Sequence, residues 1–297
     1  MMDRVSVLIS TYNGERYIGE QIQSILNQTH KNIKIYVRDD GSTDATADIL
    51  KEYEKNGIIE FLEGDNIGFG RSFLKLLEYA DESDFWAFCD QDDVWDEHKI
   101  EFACKKLNEM SSNTPNLYVH DFFLADESMN NFSKYGNYIP RYDFRMAITE
   151  CLHMGFSMVF NVKFRELMLR GNIDKLPSHD WWAELIAMEF GNVYVDDYIG
   201  AKHRRLDNSI SENNLKNRVK WVGRALRGDS EIPFITKEFK SVFQDEMSKE
   251  SLQVLDLFVE SRYSLLKSLK KAVYPRRWRT SLTSEIVVRI LMLIGKI

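Results

Sequence analysis

Three carboxylates, Asp90, Asp92 and Asp93, crowd the stretch FWAFCDQDDVWDEHKI, behind a run of apolar residues and just ahead of Trp95. Asp90 and Asp92 flank one residue at the end of what reads as a buried strand. Both can face one cleft and share a divalent cation through oxygen ligands, with a diphosphate completing the shell. The plainer alternative is that Asp92 or Asp93 caps a helix starting near Asp96, because Asp is a favoured N-cap.

Other polar clusters stand at comparable places. In RDDGSTDAT, Asp39 and Asp40 offer acceptors suited to the N–H edge of a pyrimidine or to a ribose hydroxyl; taken alone, a turn followed by a Ser42 or Thr43 cap is the plainer reading. In STYNGE, Ser10, Thr11 and Tyr12 leave an apolar run, and the Tyr ring can stack on a base or simply pack. In PSHDWWAE, a helix opening at Asp180 with Trp181 and Trp182 behind it can project a carboxylate into an aromatic-walled cleft. Desolvation there raises a carboxyl pKa, as suits a general base; the alternative is an N-cap with both Trp in the core. In KHRRLDN, His203 can ligate a metal or meet a diphosphate with Arg204 and Arg205, although a lone His is as often structural. The DQDDV run also fits the DxDx[TV] pattern of haloacid-dehalogenase-like phosphatases, with Asp90 as nucleophile and Asp92 as acid.

The elements that must position these groups alternate. VSVLIS reads as a buried strand, Arg16 to Asn27 as a helix with Ile18, Ile22, Ile25 and Leu26 at helical spacing, and IKIYVRDDGST begins the pattern again. IIEFLEGDNIGFG and FGRSFLKLLEYA supply a third strand and helix, and DFWAFCDQDD a fourth strand. Such alternation predicts an α/β fold with a mostly parallel sheet, whose ligands bind at the carboxyl ends of the strands. Beyond Lys99 the pattern is mixed: NLYVHDFFLAD, GFSMVFN and NVYVDDYIGAKHR read as strands, KFRELMLRG and HDWWAELIAMEFG as helices.

The 297 residues and 44% hydrophobic content suffice for a substantial core, and the three scattered cysteines argue against a disulfide framework or a zinc site. No run approaches the roughly 20 apolar residues of a membrane span, so a cytoplasmic protein is expected. The net charge of -7 is divided: Leu215 to Ile297 holds 17 Lys/Arg against 9 Asp/Glu, a tail of +8 behind a body of -15. An acidic body that binds an anionic ligand wants a cation, and a basic tail suits an anionic surface. We place a domain at 1–208 and a helical extension at 209–297. RRWRTSLTSEIVVRILMLIGKI carries the Trp, Arg cluster and apolar run of an interfacial helix, at the inner face of the membrane; packing on the catalytic domain or a homodimer contact are the alternatives.

VSVLISTYNGERYIGEQIQSILNQT, RDDGSTDAT, DNIGFGRSF and DQDDVW occur in the order and at the spacing of family 2 glycosyltransferases of the GT-A fold. With the later HDWW, the chain most resembles bacterial rhamnosyltransferases of cell-wall and capsular polysaccharide synthesis. The resemblance implies an inverting, metal-dependent transferase moving a sugar, rhamnose from dTDP-rhamnose or a hexose or N-acetylhexosamine from UDP, to a glycan or lipid-linked acceptor. It implies no nucleic-acid partner. Residues matching Ser10, Tyr12 and Asp40 would hold base and ribose, with Thr11, Glu15, Asp39, Asn66 and Gln91 in the same motifs, and Arg71 would approach the diphosphate. Asp90 and Asp92, with His203, would hold Mg2+ or Mn2+, and Asp180 would be the catalytic base. Asp93, Trp95, His120, Asp121, Gly155, Ser157, His179 and Trp181 are the sugar- and acceptor-side candidates. The phosphatase and a non-catalytic sugar-binding relative remain the rival classes.

Overall fold

The computed structural model describes residues 2–130, 132–136, 142–205, 215–259 and 263–297, with 215–218 in backbone only. The first half runs β1 (Val5–Thr11), α1 (Ile18–Leu26), β2 (Ile33–Asp39), α2 (Thr46–Lys55), β3 (Ile59–Glu63), α3 (Phe69–Tyr79), β4 (Phe85–Asp90), β5 (Val94–Trp95) and α4 (Lys99–Glu109). Then follow β6 (Asn116–Ala125), β7 (Phe132–Lys134), α5 (Phe144–Ala147), β8 (Met158–Asn161), α6 (Val162–Met168), α7 (His179–Phe190) and β9 (Asn192–Arg204). Among the described residues five helices follow: α8 (Leu215–Arg227), α9 (Ile232–Phe243), α10 (Lys249–Leu255), α11 (Leu265–Ala272) and α12 (Leu282–Leu293).

The strands form one sheet in the order β3-β2-β1-β4-β8-β6-β9-β5, with β7 added to β6. β3, β2, β1 and β4 are mutually parallel, the outcome that apolar strands joined by crossover helices require. The far half is mixed, because β8 runs antiparallel to both β4 and β6, while β9 is parallel to β6. The period of two in β1 divides its side chains. Val5, Val7 and Ile9 enter the core under α1 and α4, and Leu8 enters the core on the other face, under α3 and α7.

α7 is a clear case of local chemistry setting an element. The Ser178 hydroxyl accepts from Trp181 N–H at its start, and Gly191 follows its last turn. Three short pieces, β5, β7 and α5, escape the sequence reading, since a few residues carry no resolvable period. The boundary at 208 lies outside the described residues. The helices after it share one continuous core with the sheet: Phe239 of α9 packs against Phe144, Trp182, Phe190 and Phe243. Trp278, expected at a lipid interface, is fully buried, its Nε1–H donating to the Lys271 carbonyl. No helix among the described residues is long and apolar enough to cross a membrane.

Because Phe239 is wholly buried between the two halves, Phe239→Ala should lower the unfolding free energy by roughly 3–5 kcal/mol. Urea unfolding should keep a single transition at a lower midpoint. A separate early transition confined to the tail helices would contradict the shared core.

Candidate functional site

The parallel register brings the polar strand ends into one row, with Ser10 paired to Asp90 and Thr11 to Asp39. Gln91 ties two of these ends: its Oε1 accepts from Thr11 Oγ1 at 2.6 Å and Tyr12 N at 2.9 Å. A Cβ on Gly14 would lie 2.5 Å from that oxygen, so a larger residue there would push the Gln91 side chain off its two donors. Ser10 Oγ donates to Ser72 Oγ of α3 at 2.7 Å, fixing the helix behind the row.

Asp39 and Asp40 are almost fully buried and act as loop anchors. Asp39 accepts from the Ser42 amide and hydroxyl. Asp40 accepts from the Arg38 guanidinium and from the amides of Ile67 and Gly68, at 2.9 and 2.8 Å. It thereby holds the loop that presents Asn66 and Arg71, both exposed. Tyr12 is 46% exposed at the strand exit, whereas Glu15 Oε2 accepts from Ala45 N at the start of α2.

The acidic centre follows β4. One donor atom each from Asp90, Asp93 and His203 lies within 4.8 Å of the other two. The residue that joins Asp90 is thus Asp93, where the DxD reading took Asp92. The turn after β4 puts Asp93 almost wholly inside, its Oδ1 2.8 Å from His203 Nδ1, and leaves Asp92 half-buried at the rim. Asp93 Oδ2 is buried with no hydrogen-bond partner among the described residues. That orphaned oxygen, beside a second carboxylate and an imidazole, fits a divalent cation. Neither Asp92 nor Asp93 caps a helix, since α4 starts at Lys99.

The electrostatics match this crowding. Burial, then the neighbouring Asp93 and Asp92 charges, holds the Asp90 carboxyl well above the carboxylate range. Burial and Asp93 push Asp92 up to about 6. Burial alone would lower His203, but the carboxylates of Asp93, Asp90 and Asp92 overcome it and carry the imidazole to about 9. Arg204 closes the wall, donating to the Asp92 carbonyl at 3.0 Å and to Glu20 Oε2 at 2.5 Å, with its guanidinium over the Tyr17 ring.

Asp180 enters from α7, near enough for its charge to add to the upward push on Asp90. The side chain is half-buried, and its Oδ1 accepts from Trp181 N at 2.8 Å and from the Ser178 hydroxyl. Desolvation, with Glu184 adding to it against the Trp181 amide, raises its carboxyl to about 6. Glu184, one turn on, is fully buried against His153, 2.8 Å away.

Other expected contacts are internal. Trp95 is a core residue, its ring 3.3 Å from the Lys99 ammonium, because β5 turns it under the sheet. His120 is fully buried against Gly200, where the β6–β9 register shifts. Asp121 is buried and accepts from the amides of Phe122 and Gly136. Ser157 Oγ donates to the Met154 carbonyl in the core, and Trp181 Nε1 to the Ala147 carbonyl. His179 packs its ring against Phe73 and Phe88, has no hydrogen-bond partner for either nitrogen among the described residues, and is pushed down to about 3 by burial. It also fills the space beside Gly155, where a Cβ would meet its Nε2 at 2.3 Å. Sequence reasoning missed Lys99, whose Nζ donates to the Phe156 carbonyl at 2.8 Å while the Phe156 ring stacks on His203. A fully buried Lys has no sequence signal, because Lys is ordinarily exposed.

The family described as "Glycosyl transferase family 2" matches residues 6–167, a span that takes in Asp90, Asp92 and Asp93. The phosphatase reading of that stretch therefore falls. Over 120 residues the chain is 36% identical to the dTDP-rhamnosyl transferase RfbG of Shigella flexneri, covering 38% of this chain and 42% of that protein. Over 216 residues it is 26% identical to the UDP-Glc:alpha-D-GlcNAc-diphosphoundecaprenol beta-1,3-glucosyltransferase WfgD of Escherichia coli, covering 71% and 81%. Among solved structures, S. aureus TarS 1-349 superposes with a TM-score of 0.60 at 15% identity, over 99% of this chain and 80% of TarS. The mannosyltransferase PcManGT of Pyrobaculum calidifontis, in complex with GDP-Man and Mn2+, gives 0.55 at 14% identity, over 100% and 86%. These two likenesses establish the GT-A-type fold.

Since His179 is a packed ring with two unpartnered nitrogens, His179→Leu should stay within about 1 kcal/mol of the parent in denaturant unfolding. A much larger loss would mean that the ring makes polar contacts the structure lacks.

Proposed function

The chain belongs to glycosyl transferase family 2, and from that premise we propose that it moves rhamnose from dTDP-rhamnose to a hydroxyl of a lipid-linked or growing bacterial polysaccharide. The observation that carries the reading is the Asp90, Asp93 and His203 cluster at the carboxyl ends of β4 and β9, with the Asp180 carboxylate of α7 within electrostatic reach of Asp90. A half-buried carboxylate raised to about 6 is matched to taking a proton near neutral pH.

In the proposed reaction Asp180 receives the acceptor hydroxyl proton as the acceptor oxygen bonds to the anomeric carbon. The bond from that carbon to the diphosphate oxygen breaks on the opposite face, and its electron pair leaves with the nucleotide diphosphate. One displacement inverts the centre and needs no enzyme-bound sugar. Tyr12, half exposed, is the stacking candidate for the base, and Arg71, in the first turn of α3 behind the loop anchored by Asp40, is the exposed cation for the diphosphate. Asp90, Asp93 and His203 would hold a divalent cation, with Asp92 at its rim; when bound, it neutralises the diphosphate and stabilises the leaving group. The nitrogen donor favours Mn2+ over Mg2+, which prefers an all-oxygen shell.

The rhamnose donor is supported by the name of the rhamnosyl relative, which this chain spans for under half its length. A UDP-hexose donor is the second reading, favoured by the longer alignment with the glucosyltransferase. Transfer assays with dTDP-rhamnose and UDP-glucose, each with and without chelator, separate the two. Turnover of neither, with nucleotide sugar unbound, would sink the enzyme reading in favour of a scaffold.

Asp180→Asn should lower kcat by roughly 10²- to 10⁴-fold while donor affinity stays within a few-fold. The base works ionised, so the parent rate should climb as pH rises to about 6 and level above it. The variant should lack that limb; equal rates in parent and variant would remove Asp180 as the base. Chelation should abolish transfer, Mn2+ should restore it, and Asp93→Asn should raise the Mn2+ needed by roughly tenfold or more. An unchanged Mn2+ requirement in Asp93→Asn would return the ligand role to Asp92.

A further inference from the structure

α11 and α12 pack side by side; α12 is apolar on two faces, whereas α11 buries Ser268, Lys271 and Ala272 and is apolar on its outer face. The inner faces place Ala272, Val288, Leu291 and Met292 in the core, beside the buried Trp278. Among the described residues nothing covers the outer faces. On α11, Leu265, Leu269 and Val273 recur every four residues and are 61%, 43% and 72% exposed. On α12, Leu282, Ile286, Ile290 and Ile294 repeat the spacing, each more than half exposed. A stripe at this period is one continuous helix face, and two such stripes on adjacent helices exceed the scattered single apolar residues of an ordinary surface.

The charge around this face selects its occupant. From Tyr263 to Ile297 there are eight Lys/Arg and one acid, Glu285. Glu285 is buried, accepting from the amides of Trp278 and Arg279 and from Arg289, so it does not offset the cations at the surface. Lys270, Arg276 and Arg277 are exposed, Arg276 pairing with Glu250 at the rim. Two copies meeting face to face would confront cation with cation. An anionic bilayer offers both complements at once, acyl chains for the stripes and headgroup charge for the rim.

We propose that the outer face of α11 and α12 docks on an anionic lipid surface, with the stripes lying in the plane of the interface. Twelve residues of α12 are too few to span, so the contact is one-sided. The anchor is the Leu and Ile stripe, and not the Trp278–Arg279 pair, which is spent internally: Arg279 sits over Trp221 and pairs with Glu150. The docking is independent of which sugar is transferred.

The test is co-sedimentation of the purified chain with vesicles of equal phosphatidylglycerol and phosphatidylcholine, and with phosphatidylcholine alone, alongside its size in solution. The chain should bind the anionic vesicles, at least several-fold more weakly the neutral ones, and lose binding as salt is raised. Ile286→Gln with Ile290→Gln should weaken binding by roughly tenfold or more. Lys270→Glu with Arg277→Glu should do the same, since each cation near such a surface is worth roughly fivefold in affinity. Both variants alter exposed side chains, so circular dichroism and thermal midpoint should match the parent. Failure of the parent to bind anionic vesicles overturns the proposal, as does a folded Ile286→Gln, Ile290→Gln variant that binds like the parent. A dimer that those substitutions dissociate, without vesicle binding, would give the face to a second copy.

Discussion

Burying like charges side by side is the constraint to which the centre of this structure answers. Asp90, Asp92 and Asp93 end up within a few residues and largely out of water, where burial with the Asp93 and Asp92 charges raises the cost of ionising Asp90, and burial with Asp93 that of ionising Asp92. The chain meets that cost with groups brought from far along the sequence. His203 and Arg204 arrive on β9, and Lys99 lies beneath, its ammonium held over Trp95 and against the Phe156 carbonyl while burial drags it down to about 7. One oxygen of Asp93 is left without a hydrogen-bond partner among the described residues, and for that reason we propose the cluster as a ligand set.

The same logic governs the neighbouring loops. The row of strand ends works because its backbone is pinned by carboxylates and amides turned inward: Asp40 on the loop before α3, Asp39 on the turn before α2, Gln91 on the exit of β1. These residues position others. The side chains left in reach of a ligand, Tyr12, Asn66 and Arg71, stand on what the buried acids hold. Asp180 comes from the opposite wall on a helix whose start is set by Ser178 and whose packing is set by Trp182 among Phe239 and Phe243. The base candidate thus depends on the tail helices, although no described residue of theirs joins the cluster.

Much of the scaffold was legible from residue order. The strands and helices through β4, together with α6, α7 and β9, follow from periodicity, because a strand buried on both faces or a helix with one apolar face leaves a long pattern. The family could be named from four motifs in order, and the locations of Asp90, Asp180 and His203 at element ends could be read as chemistry before any geometry was known. What periodicity cannot carry is direction. A turn of two residues decides that Asp93 points inward and Asp92 to the rim, and a register shift in β6 buries His120.

Sequence by itself therefore determined the fold class, the family and which clusters carry charge, since these depend on local pattern and order. Tertiary structure alone decided which carboxylate faces His203, that Lys99 lies under the cluster, and that Trp278 belongs to the core while Ile286 and Ile290 face outward. Each of these depends on contacts between residues far apart in the chain. Their cost or gain is set by burial and by neighbouring charge, and neither quantity exists until the chain has closed on itself.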